Sequence, residues 1–223
     1  MQTHWLNKKD SDSVIIFFAG WGQSRHYFEQ NLTSEKDVLM VCQYENLDFN
    51  SIIEAITPYK EKIVIGWSFG VLVASRFMET YSDYNYSIAI NGSLKPVDDT
   101  EGIPTAIFNG TLQLLSQKSW EKFAFRMIGD RLVYTSFIEN NDREIDSLKE
   151  ELAFLGQCES PSKTVTFDQV LVSQKDRIFP SDNLMNSWIA KGITPQLIDT
   201  HHFPFHHYHT WESIGQLNQT LSL

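Results

Sequence analysis

The sequence predicts an α/β protein with a mostly parallel, doubly wound sheet and a small helical insertion. Apolar runs rich in valine and isoleucine alternate with amphipathic runs at the spacing of βα units. The strand-like runs are apolar on both faces, which is typical of a parallel sheet covered by helices on both sides. The alternation stops after Ser93 and resumes near Phe167, so the insertion follows the strand that ends near Ser93.

The elements before the insertion are bounded by short polar segments. The predicted strands are 13–20 (SVIIFFAG), 37–44 (DVLMVCQY), 62–67 (KIVIGW) and 86–93 (YSIAINGS), and the predicted helices are 50–59 and 69–81. After the insertion the predicted strands are 167–174 and 195–200, and the predicted helices are 181–192 and 209–223. The chain therefore continues the same βα pattern on both sides of the insertion.

Residues 95–163 form a polar, helix-rich block that we expect to act as a lid. Insertions at the carboxyl end of a strand lie over the crevice in which α/β proteins bind ligands. The predicted organisation is a core domain made of residues 1–94 and 164–223, with residues 95–163 inserted as the lid.

Composition and charge exclude several classes of protein. A hydrophobic content of 42% and a charged content of 21% are those of an ordinary globular protein. The formal net charge of -10 argues against a nucleic-acid partner, because phosphate binding relies on lysine and arginine. No apolar run is long enough to cross a bilayer, and Cys42 and Cys158 suggest neither a disulfide framework nor a metal pair. We expect a cytoplasmic monomer that is not bound to a membrane.

The segment GWSFG, residues 66–70, joins a predicted strand to a predicted helix. A G-x-S-x-G pattern in this context is typical of a nucleophile elbow, a tight turn that exposes a serine hydroxyl above the sheet. A Cβ on Gly66 or Gly70 would collide with the neighbouring strand and helix, and Ser68 would be held in a strained conformation. The alternative is a serine that caps the helix between two glycines needed for packing.

A serine nucleophile needs a histidine base oriented by a carboxylate, and in this fold the acid precedes the histidine in the chain. Asp176 follows the strand 167–174, and His201 and His202 follow the strand 195–200, on the same rim as Ser68. Asp176 could instead be a turn residue ahead of Pro180. The histidine-rich run 201–209 could instead bind zinc, although its spacing does not resemble a helical His pair with a glutamate.

The tetrahedral intermediate of acyl transfer needs two backbone donors for its oxyanion. One is expected to be the N–H of Phe69, directly after the serine. The other is expected to be the N–H of Trp21, because Gly20 and Gly22 on either side let the backbone approach a ligand closely. The alternative is an ordinary glycine-rich βα turn.

In order and spacing, nearly the whole chain resembles the BioG family of pimeloyl-[acyl-carrier protein] methyl ester esterases, within the α/β-hydrolase fold. The segments that carry the resemblance are VIIFFAGWG, GWSFG, GIPTAIFNGT, SQKDRIFP and HHFPF. The resemblance implies a catalytic triad of Ser68, Asp176 and His202, since related esterases have a histidine, one residue, then Pro-Phe. It also implies hydrolysis of the methyl ester of a pimeloyl chain carried on acyl carrier protein, in biotin biosynthesis, with no cofactor. The chain departs from related proteins at His201, where related esterases have glycine, and at Ala19, where many hydrolases have histidine.

An acidic carrier protein needs a concentrated basic patch on a partner of the same sign. Lys118, Lys122 and Arg126 recur every four residues in the lid segment, on one helical face. The apolar residues of the same segment fall on the opposite side, namely Trp120, Phe123 and Met127. The basic face could equally be an ordinary solvated helix face. Two other functions stay open: a general carboxylesterase or thioesterase with the same triad, and a catalytically inactive binding protein of the same fold.

Overall fold

The computed structural model describes residues 1–215 and contains one seven-stranded sheet. The strands are β1 (Gln2–Asn7), β2 (Ser13–Phe18), β3 (Asp37–Cys42), β4 (Glu61–Trp67), β5 (Tyr86–Ile90), β6 (Gln169–Ser173) and β7 (Gln196–Ile198). Their order across the sheet is β1-β3-β2-β4-β5-β6-β7, and β1 alone among them pairs antiparallel to its neighbour. The predicted mostly parallel α/β fold is confirmed.

Helices connect the strands and fill the insertion. They are α1 (His26–Asn31), α2 (Asn50–Ile56), α3 (Phe69–Thr80), α4 (Thr105–Gln113), α5 (Gln117–Ile128), α6 (Arg131–Glu139), α7 (Ile145–Gln157) and α8 (Ser181–Ile189). Helices α4 to α7 all lie between β5 and β6, within residues 95–163. The division into a core domain and a lid domain stays a prediction. No helix within residues 1–215 is long and apolar enough to span a bilayer.

The structure differs from the predicted elements at both ends of the chain. Strand β1 was not predicted, and it is an edge strand whose residues are exposed or half-buried. The predicted helix 209–223 begins instead with a short 3₁₀ turn, Trp211–Ser213, and residues 216–223 lie outside the described part of the chain. Strand β5 ends at Ile90, earlier than predicted, because Asn91 adopts a left-handed conformation with φ of 47°.

An aromatic cluster under the sheet fixes the segment that follows β7. Phe17 of β2 lies 5.4 Å from Phe205 and 4.8 Å from Trp211, measured between ring centroids. Phe203 lies 5.3 Å from Trp67 of β4. Such ring pairs each contribute about 0.5–1.5 kcal/mol beyond the area they bury. The cluster therefore anchors residues 203–211 against the centre of the sheet, directly after His202.

A buried carboxylate stabilises the opposite end of the sheet. Asp37, at the start of β3, has a fully buried side chain. It accepts hydrogen bonds from Lys8 Nζ at 2.8 Å, from the Tyr59 hydroxyl at 2.6 Å and from the Lys9 N–H at 2.6 Å. Burial alone would raise the pKa of Asp37, but the hydrogen bonds that it accepts outweigh burial and lower this pKa from 3.8 to about 2.

We expect Asp37→Asn to make unfolding easier at neutral pH and to matter less in acid. A carboxyl whose pKa is lower in the folded chain stabilises it above the unfolded pKa of 3.8, and this stabilisation is lost as the pH falls toward 2. Urea unfolding at several pH values should show the free-energy gap between wild type and variant closing across that window. The exposed pair of Asp12 and Lys60 provides the control, because Asp12→Asn should change little. A difference in the free energy of unfolding that stays the same at every pH would contradict the prediction.

Candidate active site

Ser68 occupies a sharp turn between β4 and α3. Its backbone has φ of 58° and ψ of -128°, a strained conformation for a residue other than glycine. A Cβ on Gly66 would come within 2.8 Å of the Val71 Cα, and one on Gly70 would overlap the carbonyl of Phe18. The Ser68 side chain makes no capping hydrogen bond to α3. The interpretation of Ser68 as a side-chain cap of the helix is therefore wrong, although the residue occupies the position before α3.

The Ser68 hydroxyl meets the imidazole of His202, which in turn meets Asp176. Ser68 Oγ lies 2.9 Å from His202 Nε2, and His202 Nδ1 lies 2.7 Å from Asp176 Oδ2. The side chains of His202 and Asp176 are 1% and 0% exposed. Three residues far apart in the sequence thus form one hydrogen-bonded chain at the carboxyl edge of the sheet.

The Asp176 carboxylate is fixed by its own turn. Its Oδ1 accepts from the N–H of Ile178 at 2.7 Å and from that of Phe179 at 2.9 Å, while Oδ2 faces His202. The two interpretations of Asp176, as a turn residue and as a partner of histidine, therefore both hold, one for each oxygen. The two turn bonds restrain the carboxylate with Oδ2 directed at His202.

The backbone of His202 is held by a side chain from β4 and by one from the turn after β5. Its carbonyl accepts from Trp67 Nε1 and from Asn91 Nδ2, both at 2.9 Å. Its ring stacks on Phe179, with centroids 5.6 Å apart and planes within 8°. Asn91 was not predicted to belong to the site. A buried polar residue directly after the apolar strand β5 was the signal that could have identified it.

Within residues 1–215, His201 makes no hydrogen bond to the Ser68 hydroxyl, although it is adjacent to His202 in the sequence. Its ring packs against Gly129, where any Cβ would overlap it. Burial lowers the pKa of His201, and the nearby Arg177 and Lys175 lower it further. Burial lowers the pKa of His206 to about 4. Among residues 1–215, no group of three or more histidine, cysteine or acidic side chains is arranged to hold a metal ion.

The two predicted oxyanion donors come from the turns next to Ser68. A Cβ on Gly20 would lie 3.0 Å from the Ser68 Cβ, so the 20–22 turn packs directly against the serine. Within residues 1–215, the backbone N–H groups of Trp21 and Phe69 donate to no protein acceptor. Both are therefore free to bind a ligand oxygen.

A small apolar cavity of about 40 Å³ lies over Ser68. Helices α4, α5 and α7 supply part of its apolar lining, namely Ile107, Phe108, Phe123, Met127 and Leu152, and the core supplies most of the rest. Two cations, Arg126 and Arg177, also line it. The cavity has room for a few water molecules, since one water needs roughly 10–15 Å³ by this measure.

The predicted basic residues of α5 divide between the cavity and the outer surface. Lys118 and Lys122 are exposed and line an outer groove with Phe125 and Tyr134, whereas Arg126 lines both that groove and the cavity. The predicted apolar stripe packs inward: Trp120 and Met127 are buried, and Phe123 lies 4.9 Å from Trp21 between ring centroids. Arg126 is therefore the member of the basic face that lies nearest to the hydroxyl of Ser68.

Residues 1–214 match the family model described as "Pimeloyl-ACP methyl esterase BioG". The chain belongs to the BioG family. This BioG-family chain is 37% identical over 179 residues to a protein of Bacteroides fragilis (strain 638R) named malonyl-[acyl-carrier protein] O-methyltransferase. The match covers 78% of the chain but only 36% of that relative, so the chain spans about a third of the relative's length.

Solved structures agree with the family assignment. The crystal structure of BioG from Haemophilus influenzae has a TM-score of 0.86 and 28% identity, covering 96% of this chain and 99% of that one. An esterase from Exiguobacterium antarcticum, EaEST, has a TM-score of 0.67 and 13% identity, covering 94% and 90% of the two chains. This second likeness concerns the fold alone. The BioG-family chain therefore has the α/β-hydrolase fold predicted from its sequence.

Proposed function

We propose that the chain is a serine carboxylesterase that hydrolyses the methyl ester of pimeloyl-[acyl-carrier protein] in biotin biosynthesis. The observation that carries the proposal is the hydrogen-bonded chain from Ser68 through His202 to Asp176, placed beneath an apolar cavity. Membership in the BioG family supports the substrate. The name of the Bacteroides fragilis relative, a carrier-protein O-methyltransferase, denotes formation of a carrier-bound methyl ester, the class of bond that the esterase would cleave.

The proposed mechanism uses only groups of the protein, the ester and water. Ser68 Oγ attacks the ester carbonyl while His202 Nε2 accepts its proton, and Asp176 stabilises the imidazolium. The N–H groups of Trp21 and Phe69 bind the oxyanion. The carbon–oxygen bond to the methoxy group then breaks, and His202 returns the proton to the departing methanol. Water, deprotonated by His202, attacks the acyl-Ser68, and the free carboxylate and the regenerated serine result.

We also propose that residues 95–163 act as a lid that opens for the substrate. The cavity over Ser68 is narrow, with room for only a few water molecules. Helices of this segment line one side of it, and Trp120 of α5 packs 5.2 Å from Trp21 of the core between ring centroids. We therefore expect movement of these helices to widen the route by which the acyl chain reaches Ser68.

The outer face of α5 is the proposed docking surface for the acidic carrier protein. Among the salt bridges of residues 1–215, none involves Lys118, Lys122 or Arg126. Within the described chain these three cations are therefore not held in ion pairs, and Glu121 is the acidic residue that lines the outer groove with them. The net charge of -10 would otherwise repel an acidic partner. Phe125 is 46% exposed in the same groove and offers an apolar contact beside the cations.

Substrate preference tests the proposal against its two alternatives. We expect methanol release from carrier-bound pimeloyl methyl ester to have a kcat/KM well above that for hydrolysis of short p-nitrophenyl esters or of acyl thioesters. Equal or lower efficiency on the carrier-bound ester would favour a general carboxylesterase or thioesterase. A fluorophosphonate probe separates the third possibility, since a folded protein that stays unlabelled at Ser68 would be a binding protein.

Charge reversal on α5 tests the docking surface. The double variant Lys118→Glu with Lys122→Glu should raise KM for the carrier-bound ester about tenfold or more at low salt, because it replaces attraction by repulsion. Its kinetics on p-nitrophenyl butyrate should stay unchanged, since neither lysine lines the cavity. The control is Lys60→Glu with Lys163→Glu, an equal change of charge at exposed positions away from the helix. If both double variants raise KM equally, the effect is one of net charge and the docking surface is wrongly placed.

A further inference from the structure

The turn that carries Trp21 contacts a buried ion pair of Arg143 and Glu151. Arg143 Nη1 and Glu151 Oε2 are 3.0 Å apart, and the two side chains are 3% and 2% exposed. Burial raises the pKa of Glu151, and the adjacent Arg143 guanidinium opposes that rise. Glu151 shares its face of α7 with Leu148, Leu152 and Leu155, all buried. An acidic residue on an otherwise apolar helical stripe is the sequence signal for such a buried pair.

The Glu151 carboxylate bridges the turns that follow two neighbouring strands. Its Oε2 accepts from the N–H of Gly22 at 3.2 Å, after β2, and its Oε1 accepts from the N–H of Tyr44 at 3.1 Å, after β3. The Tyr44 hydroxyl in turn donates to the carbonyl of Ala19 at 2.8 Å. The carboxylate therefore restrains Gly22 directly, and it is linked to Ala19 on the other side of Trp21 through Tyr44.

The carbonyls of the same turn are held from the insertion and from within the turn. Arg143 Nη1 donates to the carbonyl of Gln23 at 3.2 Å, and Asn141 Nδ2 donates to that of Gly22 at 3.0 Å. Gln23 Nε2 donates to the carbonyl of Trp21 at 3.2 Å. The peptide after Trp21 is thus held at its carbonyl and at its N–H, while the N–H of Trp21 itself keeps no protein partner within residues 1–215.

We infer that Glu151 and Arg143 are positioning residues that aim the Trp21 N–H at the oxyanion. Neither side chain lines the cavity over Ser68, so they act through the turn rather than on the substrate. The inference rests on the proposed function, because it concerns the same acyl-transfer site. An oxyanion donor is useful only when it is fixed before the reaction, and these bonds supply that rigidity. A merely structural pair would affect folding but not the chemistry per folded molecule.

Two variants separate positioning from stability. Glu151→Gln removes the charge, and the double variant Glu151→Met with Arg143→Met removes the whole pair, which often leaves stability intact. In both variants, kcat on p-nitrophenyl butyrate should fall about 10- to 100-fold while KM stays within about twofold. The reason is that a misaligned Trp21 N–H weakens its hydrogen bond to the oxyanion, which forms only as the transition state is reached. Affinity for a trifluoromethyl ketone, whose adduct with serine carries an oxyanion, should fall by the same factor as kcat/KM. The conservative variant Arg143→Lys should retain more of the kcat and more of the ketone affinity than the other two variants.

Each outcome bears on the inference. Activities are measured well below the melting temperature of each variant, and Asp37→Asn serves as a control that loses a buried carboxylate and its ion pair with the half-exposed Lys8, at the opposite end of the sheet. Loss of kcat and ketone affinity in a double variant that melts like wild type supports positioning. Wild-type kcat and ketone affinity in that variant overturn the inference alone. A wild-type protein that hydrolyses no ester and takes no label at Ser68 overturns the proposed function, and the inference falls with it.

Discussion

Ser68→Ala is expected to fold like the wild type and to release no methanol from carrier-bound pimeloyl methyl ester. The substitution removes only Oγ, whose partner is His202 Nε2, and leaves the Cβ packed beside the 20–22 turn. Without a nucleophile, turnover should drop roughly ten-thousandfold or more. Methanol release and the melting temperature, measured on the same preparation, check both halves of the prediction.

A second serine of the same helix region provides a matched control for this variant. Ser75 is fully buried in α3, and its hydroxyl donates to the carbonyl of Leu72 at 2.6 Å. Ser75→Ala should keep its activity, because its hydroxyl faces the helix backbone rather than the cavity. Turnover retained in Ser68→Ala would rule out the proposed nucleophile.

His202→Gln is expected to lose activity on the same scale, whereas His201→Gln should stay within a few-fold of wild type. The neighbouring histidines differ in their contacts: His202 bonds both Ser68 and Asp176, and His201 packs against Gly129. Glutamine is close to histidine in volume but cannot accept a proton at neutral pH, so the comparison isolates the base.

The rate of labelling by a fluorophosphonate distinguishes the two histidines without any substrate. We expect slow labelling of Ser68 in His202→Gln and near-wild-type labelling in His201→Gln, because the serine reacts only when a base accepts its proton. If the order is reversed, His201 is the base and the proposed triad must be redrawn around a different conformation of the 201–202 segment.

Local sequence patterns were sufficient for most of the sheet. The strands β2 to β6 carry apolar residues on both faces, so a parallel sheet between helices is the arrangement that buries them. Strand β1 has no such pattern, because it is an edge strand with exposed positions. Its antiparallel pairing with β3 depends on backbone hydrogen bonds to a distant segment, which the residues 2–7 do not encode by themselves.

The residues of the candidate site differ in how much of their role the sequence predicted. The elbow at Ser68 is local, since two glycines and a serine within five residues define the turn. Asp176 and His202 were predicted from the order of the strands and from the resemblance to related esterases. The separation of His202 from His201 needed packing, because adjacent residues in a turn point in different directions and only the neighbours decide which ring faces Ser68.

Hydrophobic patterning and local motifs were enough to predict the parallel sheet, the strand-to-helix turn at Ser68 and the rim on which an acid and a histidine follow. The contacts that join distant segments became visible only in the folded chain, such as the bonds from Asn91 to the His202 backbone and from Glu151 to Gly22. Hydrophobic periodicity reports which face of an element is buried. It does not report which polar group on another element will satisfy a buried donor, because that pairing exists only once the chain has folded.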